Sequence, residues 1–249
     1  MNIAFYTGAS GLRAYQNQID TIANNVSNVN TFGYKADKAS FRDLIYTSMN
    51  INKNRELADD EQVLTGHGVQ YDGQNLMYSQ GVLYNSGYAL DFAIAGDGLF
   101  AVQRDGRTEY TRNGSFDMSV EGNSNYLVTS DGAYVLDSYG NRITVPYDEQ
   151  THEIDNASVA QKIGVFNFEN PYGLMKTDDI SFLPTEISGE AQAAGKGSYK
   201  IYTSSLERSN TNIADEMADL IVSQKAYQFS ARVVTAADEV EQIVNSLRG

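Results

Sequence analysis

The chain has 249 residues, 41% of them hydrophobic, enough to bury a core in one large domain or two modest ones. Its 18 basic residues against 32 acidic ones leave a net charge of −14, which argues against nucleic acid and anionic membrane surfaces as partners. There is no cysteine, so disulfides, thiolate metal sites and cysteine nucleophiles are excluded.

No window approaches the roughly 18 apolar residues of a membrane span, so no membrane insertion is expected. Met1 to Thr7 carries no basic region, and the expectation is export, if any, by a route that reads no cleaved signal. Residues 1–33 predict an N-terminal assembly helix with its regular part over 7–29. Leu12, Tyr15, Ile19, Ile22, Val26 and Val29 are spaced 3, 4, 3, 4, 3, the a/d alternation of a helix offering a narrow seam to another helix. Gly8 and Gly11 weaken its start by roughly 1 kcal/mol each relative to alanine. Asn28, Asn30 and Gly33 are stop signals, because Asn and Gly tolerate the left-handed conformation at a helix end. Alone, such a segment is marginal and needs a partner.

Residues 34–68 read as a polar connector, with Phe41, Leu44 and Ile45 as a short helical or extended packing segment and a polar run over 47–60. A connector without a firm period is either a contact region or a surface loop.

Residues 69–207 read as a mainly antiparallel β domain with an inner core at about 89–185. Leu90, Phe92 and Ile94 alternate with Asp91, Ala93 and Ala95, the period of a half-buried strand. Asp97-Gly98, Asp105-Gly106, Asn113-Gly114, Glu121-Gly122 and Asp131-Gly132 follow at short intervals. Asn-Gly and Asp-Gly suit tight hairpin turns, because both central residues can take positive φ. A hairpin-rich barrel or sandwich follows.

Residues 208–249 predict a C-terminal assembly helix that pairs with the first. Ile213, Met217, Leu220, Gln224, Tyr227, Ala231 and Val234 are spaced 4, 3, 4, 3, 4, 3; the seam then slips and resumes at Ala237, Val240, Val244 and Leu247. Asn212 reads as the N-cap, with Asp215, Glu216 and Asp219 near the positive end of the helix dipole. The fold class is therefore α+β: a discontinuous, coiled-coil-like terminal-helix domain carrying an inserted β domain. An apolar stripe on one helix usually marks an ordinary core face. Two narrow seams at the extremities of one chain favour packing between molecules.

Enzyme motifs fail on their spacing. Gly8-Ala9-Ser10-Gly11 lacks the second glycine of a nucleophile elbow. Gly189 to Lys196 is one residue too long for a phosphate loop, and Gly197 stands where a magnesium-binding Ser or Thr belongs. His67 and His152 sit in no ligand pair, and Asp59-Asp60-Glu61 and Asp178-Asp179 lack the alternation of a calcium loop. No catalytic residue, metal or cofactor is expected.

The stretch Ala23-Asn24-Asn25-Val26-Ser27-Asn28-Val29-Asn30-Thr31-Phe32-Gly33-Tyr34-Lys35 resembles the N-terminal signature of bacterial flagellar rod and hook axial proteins. Ser205-Leu206-Glu207-Arg208-Ser209-Asn210-Thr211-Asn212, followed by Gln224-Lys225-Ala226-Tyr227, is similar to their C-terminal signature. Between them, Leu90 to Phe100, with Asp91, Gly96, Asp97 and Gly98, Tyr110 to Phe116 and Asn170 to Leu174 resemble the family's central motifs. Thr211, Asn212 and Lys225 stand where the family more often has an aliphatic residue, Asp and Arg. That leaves proximal rod, distal rod and hook-type positions open.

The resemblance implies a structural subunit of the basal-body rod: a helical homopolymer whose terminal helices line a channel under a β sleeve and which transmits torque. It implies as partners other rod and hook proteins, the flagellar type III export apparatus and surrounding ring proteins, with the rod in the cell envelope's periplasmic space. The competing reading is a soluble β-rich binding or adhesin-type module whose helices are clasps.

Overall fold

The computed structural model describes residues 3–44, 46–48, 64–122, 124–146, 155–177, 180–195 and 197–248. The acidic run at 59–61, His152, the pair at 178–179 and most of the polar run at 47–60 lie outside the described residues. The chain opens with α1 (Ile3–Ser27), then β1 (Asp37–Asp43), β2 (Tyr46–Ser48), β3 (Leu64–Gly66) and β4 (Val69–Leu76). It continues through β5 (Leu83–Asn85), β6 (Phe92–Gly96), β7 (Leu99–Arg104), β8 (Arg107–Thr111), β9 (Phe116–Glu121), β10 (Ser124–Thr129) and β11 (Tyr134–Val135). A short α2 (Asn156–Lys162) precedes β12 (Val165–Asn167), β13 (Met175–Lys176), β14 (Ser181–Leu183), β15 (Gln192–Ala193), β16 (Tyr199–Thr203) and β17 (Ser205–Glu207), and α3 (Ile213–Arg248) closes the chain. This is an α+β fold with its mainly antiparallel β region between the terminal helices.

The chain divides into two compact units. One joins Met1–Val26, Asp37–Asn75 and Ile213–Gly249; the other joins Ser27–Ala36 and Leu76–Asn212. In the helical unit, α1 lies against the β1–β4 pair. Tyr15 meets Phe41 with ring centroids 6.2 Å apart, Gln74 Nε2 donates to Thr21 Oγ1 at 3.1 Å, and the Val69 amide donates to Ser10 Oγ at 3.4 Å. Where the sequence suggested a connector, Asp37–Asp43 is thus a paired strand, which gives one flank of α1 its cover. α1 also begins at Ile3, ahead of the expected start, and holds Gly8 and Gly11 inside it, both buried. Packing overrides their poor helix propensity.

The β unit is built on a nine-stranded sheet with the order β13-β14-β8-β7-β11-β10-β9, and β12 bridges β7 and β15. β7 is buried on both faces. Phe100 and Val102 join Phe92, Phe116, Leu127, Val135, Ile143 and Ile163, whereas Leu99 and Ala101 join Tyr110, Leu136, Phe168 and Phe182. This is the period-2 alternation of a strand with a core on either side.

Three of the five glycine doublets close hairpins. At Asp105-Gly106 both residues have positive φ (49° and 79°), the primed turn that matches strand twist, and Arg104 pairs with Arg107 across it. Glu121-Gly122 and Asp131-Gly132 connect β9 to β10 and β10 to β11. Asp97-Gly98 and Asn113-Gly114 close none. A Cβ on Gly98 would fall 2.4 Å from Val165 Cγ1, and one on Gly114 would fall 1.7 Å from the Phe92 carbonyl oxygen. These glycines serve close approach rather than chain reversal.

Candidate assembly surface and signature node

Three sequence stretches far apart in the chain meet at one buried carboxylate. Glu207, at the end of β17, accepts Lys35 Nζ at 2.7 Å and the Gly81 amide at 2.8 Å on Oε1, and Arg112 Nε at 2.5 Å on Oε2. All three charged side chains are almost wholly buried. Arg112 directs its remaining donors to the carbonyls of Ile94 (3.0 Å), Gly96 (2.6 Å) and Gly98, and Lys35 donates also to the Ser79 carbonyl at 2.8 Å. Charge-assisted bonds to carbonyls and a carboxylate offset the desolvation that a buried ion otherwise incurs. Burial pulls the Lys35 ammonium below its ordinary value, against the pull of Glu207. It also pushes the neighbouring Tyr78 phenol well up.

Backbone geometry demands the glycines here. Gly33 has φ +72°, its amide donates to the Glu207 carbonyl at 2.8 Å, and a Cβ on it would lie 2.3 Å from the Asn113 amide nitrogen. Asn210 Oδ1 accepts the Ala36 amide at 2.8 Å, and its Nδ2 donates to the carbonyls of Met77 (2.7 Å) and Ser79 (3.1 Å). The signature residues Gly33, Gly96, Gly98, Glu207 and Asn210 therefore share one node.

Asn25 acts in the helical unit. Its side chain takes both the amide (2.9 Å) and the carbonyl (2.7 Å) of Asp37 and donates to Glu216 Oε1 at 3.0 Å. Burial, with Asp219 and Asp215 nearby, raises the Glu216 carboxyl, while the Asn25 bond works against the rise. Asp91 is buried, and Ser209 Oγ donates to Thr211 Oγ1 at 2.8 Å. Asn24 and Asp97 are exposed, and Asn28 Oδ1 accepts from Thr31 Oγ1 at 3.0 Å.

α1 and α3 meet on small residues. A Cβ on Gly8 would lie 2.8 Å from Val234 Cγ2 and 3.3 Å from the Ser230 carbonyl oxygen, and one on Gly11 would lie 3.0 Å from Ser230 Oγ. Ala14, Thr21 and Ile22 of α1 are buried, as are Ser223 and Ala237 of α3. Leu12, Tyr15, Ile19, Val26 and Val29 are half-buried, and so are Leu220, Tyr227, Ala231 and Val234. Ile213, Met217, Gln224, Val240, Val244 and Leu247 are exposed.

The covered line on α3 is Glu216, Leu220, Ser223, Tyr227, Ser230, Val234 and Ala237, again with 4-3 spacing, rotated slightly from the line the apolar residues suggested. The reason is chemical: serines fit where glycines allow close backbone approach, and a search for apolar residues passes over them.

A second line shares only Val240 and Leu247 with the seam expected from the sequence. Val222, Ala226, Phe229, Val233, Ala236, Val240, Ile243 and Leu247 are spaced 4, 3, 4, 3, 4, 3, 4 without a break. They lie roughly a third of a turn around α3 from the covered line, given 100° per residue. Val222 (66%), Phe229 (61%), Val233 (45%), Val240 (57%), Ile243 (59%) and Leu247 (82%) are exposed. The signal was present in the spacing but was overwritten by the first seam. An exposed apolar stripe of this length marks an interaction surface.

Among the described residues no cluster of three or more His, Asp or Glu side chains could hold a metal, and no helix is long and apolar enough to cross a membrane.

Comparison with known proteins agrees with the motifs. Residues 5–35 match the family described as flagella basal body rod protein, residues 93–160 the flagellar hook protein FlgE/F/G D1 domain, and residues 203–247 the flagellar basal body rod FlgEFG protein C-terminal region. The flagellar basal-body rod protein FlgG of Agrobacterium fabrum is 35% identical, with 97% of this chain and 98% of that protein covered. FlgG of Borreliella burgdorferi is 34% identical over 98% of each chain. The flagellar hook-basal body complex protein FlhP of Bacillus subtilis is 30% identical, covering 97% of this chain and 98% of its own. With matches at the start, middle and end in order, and relatives covered nearly end to end, the chain belongs to the flagellar basal-body rod protein family.

Proposed function

We propose that this chain is a structural subunit of the bacterial flagellar basal-body rod, polymerising through its terminal helices into a hollow shaft that transmits torque. Its role is structural rather than enzymatic, and its place is the flagellar basal body, in company with other rod and hook proteins. The observation that carries the assembly reading is the outward face of α3, where six large apolar side chains stand exposed on one line. In water each costs about 1.5–3 kcal/mol relative to full burial, a driving force that a neighbouring molecule can satisfy. Subunits joined head to tail in a non-closing geometry then make a filament. Leu12, Tyr15, Ile19, Ile22 and Val26 belong to this reading as the apolar residues by which α1 packs within the helical unit, Tyr15 against Phe41 of β1, with Val29 just beyond the helix end. Ile213, Met217, Gln224, Val240, Val244 and Leu247 belong to it as contacts with neighbours.

Delivery through the flagellar type III export apparatus, passage into the periplasmic space and contact with surrounding ring proteins complete the proposal. They are supported by the family alone.

The test is Phe229→Asp in the full chain, expressed in place of the native copy. Because Phe229 is exposed, the variant keeps its melting temperature within about 2 °C, a surface change being worth less than ~0.5 kcal/mol. It is absent from purified basal bodies and the cells do not swim. Normal motility with the variant in the rod overturns the proposal.

A further inference from the structure

We infer that the β units of successive copies join by a knob and a cleft: Tyr139 of one copy enters the cleft between Phe32, Tyr84, Tyr88 and Phe116 of the next and donates its hydroxyl to Asp91. The inference rests on the assembly reading above and adds a contact that the terminal helices do not make.

The cleft, about 500 Å3 in volume, has aromatic walls and a carboxylate among them. Asp91 is buried, accepts a hydrogen bond from Ser86 and forms no ion pair among the described residues. Burial, with the Asp117 charge nearby, raises its carboxyl, so a further donor stabilises the carboxylate. A cation is the wrong occupant, because Arg208 stands over the Tyr84 ring, 5.0 Å from its centroid, and already brings a positive charge to that wall. The fit is a neutral ring with a hydroxyl at its tip, apolar along its body and polar at its end.

Tyr139 is such a group, presented in advance. It is 91% exposed, and its ring and hydroxyl have no partner within the chain among the described residues. The turn that carries it is fixed. Asp137 Oδ1 accepts the amides of Tyr139 and Asn141, each at 2.8 Å, and the Asp137 carbonyl accepts the Gly140 amide at 3.1 Å, where Gly140 takes φ +83°. A side chain held out on a fixed turn loses little freedom on docking. No residue of this turn lines the cleft, so knob and cleft are separate surfaces of one molecule. Such a contact is head-to-tail, and each copy keeps a free half at either end, so it propagates.

p-Benzoylphenylalanine in place of Tyr139 keeps an aromatic knob and cross-links to its surroundings under ultraviolet light. The full chain carrying it is irradiated in purified basal bodies and, separately, in solution at hundreds of micromolar, with isotope-labelled and unlabelled copies mixed. The expected result in both is a ladder of dimers, trimers and longer species, whose adducts join position 139 to residues 84–91 or 115–117 of a different copy. Adducts that fall elsewhere, within one chain only or in closed dimers alone overturn the inference, and so does their absence.

In solution the amides of Ala89 and Ser115 shift with concentration in the native chain and not in Tyr139→Ser, whose exposed position leaves the fold unchanged. Tyr139→Phe pairs about tenfold more weakly, because a hydrogen bond to a charged group is lost. Pairing as tight as the native chain's overturns the bond to Asp91 and the inference with it. If Phe229→Asp blocks rod incorporation while the adducts from position 139 fall outside the cleft, the assembly reading stands and this contact falls.

Discussion

Glu207 is held by two cations, and this makes the three members of the node unequal. Removing Lys35 leaves Glu207 with Arg112 and the Gly81 amide. Removing the negative charge leaves two buried cations facing each other with nothing between them. Breaking a buried pair costs about 3–5 kcal/mol, and an uncompensated like-charge pair costs more. Lys35→Met is therefore expected to lower stability by about 3 kcal/mol and Glu207→Gln by more, within that range or above it, in urea unfolding followed by tyrosine fluorescence. Equal losses in the two variants would show that desolvation of Lys35, rather than charge balance, dominates the node. None of this was legible beforehand. Lys35, Arg112 and Glu207 sit inside stretches that the family resemblance marks, but 172 and 95 residues separate Glu207 from its partners, and nothing local distinguishes them from solvated charges.

At the scale of the element, the α1–α3 contact turns on two glycines that behave differently. Gly8→Ala improves helix propensity by about 1 kcal/mol, yet its methyl would press on the stiff, branched Val234 and on the Ser230 carbonyl. Overpacking of this kind costs about 1–3 kcal/mol, so the net effect is loss of stability. Gly11→Ala meets only the Ser230 hydroxyl, which can rotate away, and is expected to be neutral or stabilising. Amide exchange along α1 distinguishes them: faster in Gly8→Ala, unchanged or slower in Gly11→Ala.

Both helices were legible from 4-3 spacing alone, and the hairpins at Asp105-Gly106, Glu121-Gly122 and Asp131-Gly132 from their turn residues. On α3 the expected seam and the covered line share Leu220, Tyr227, Val234 and Ala237, whereas Ile213, Met217 and Gln224 are exposed, since Ser223 and Ser230 of the covered line carry no hydrophobic signal. The strand Asp37–Asp43 was legible only as a short packing segment, helical or extended, around Phe41, because its residues are mostly polar and its partner β4 is distant in the chain.

For the whole molecule, buried and exposed apolar residues are unevenly shared. The β unit keeps two layers of aromatic and branched residues around β7, whereas α3, about 54 Å long at 1.5 Å per residue, leaves an apolar line in water. In the Phe229→Asp variant, amides of the last three turns of α3 should exchange at least tenfold faster than those of β7 and β8, as local opening follows sparse burial. Equal protection would mean that the helix end is held within its own chain. The division of the chain carries one more consequence. The backbone passes from one unit to the other after Val26, Ala36, Asn75 and Asn212. A protease that severs any one of these passages leaves three intact tethers, so a single nick cannot release either half of the molecule.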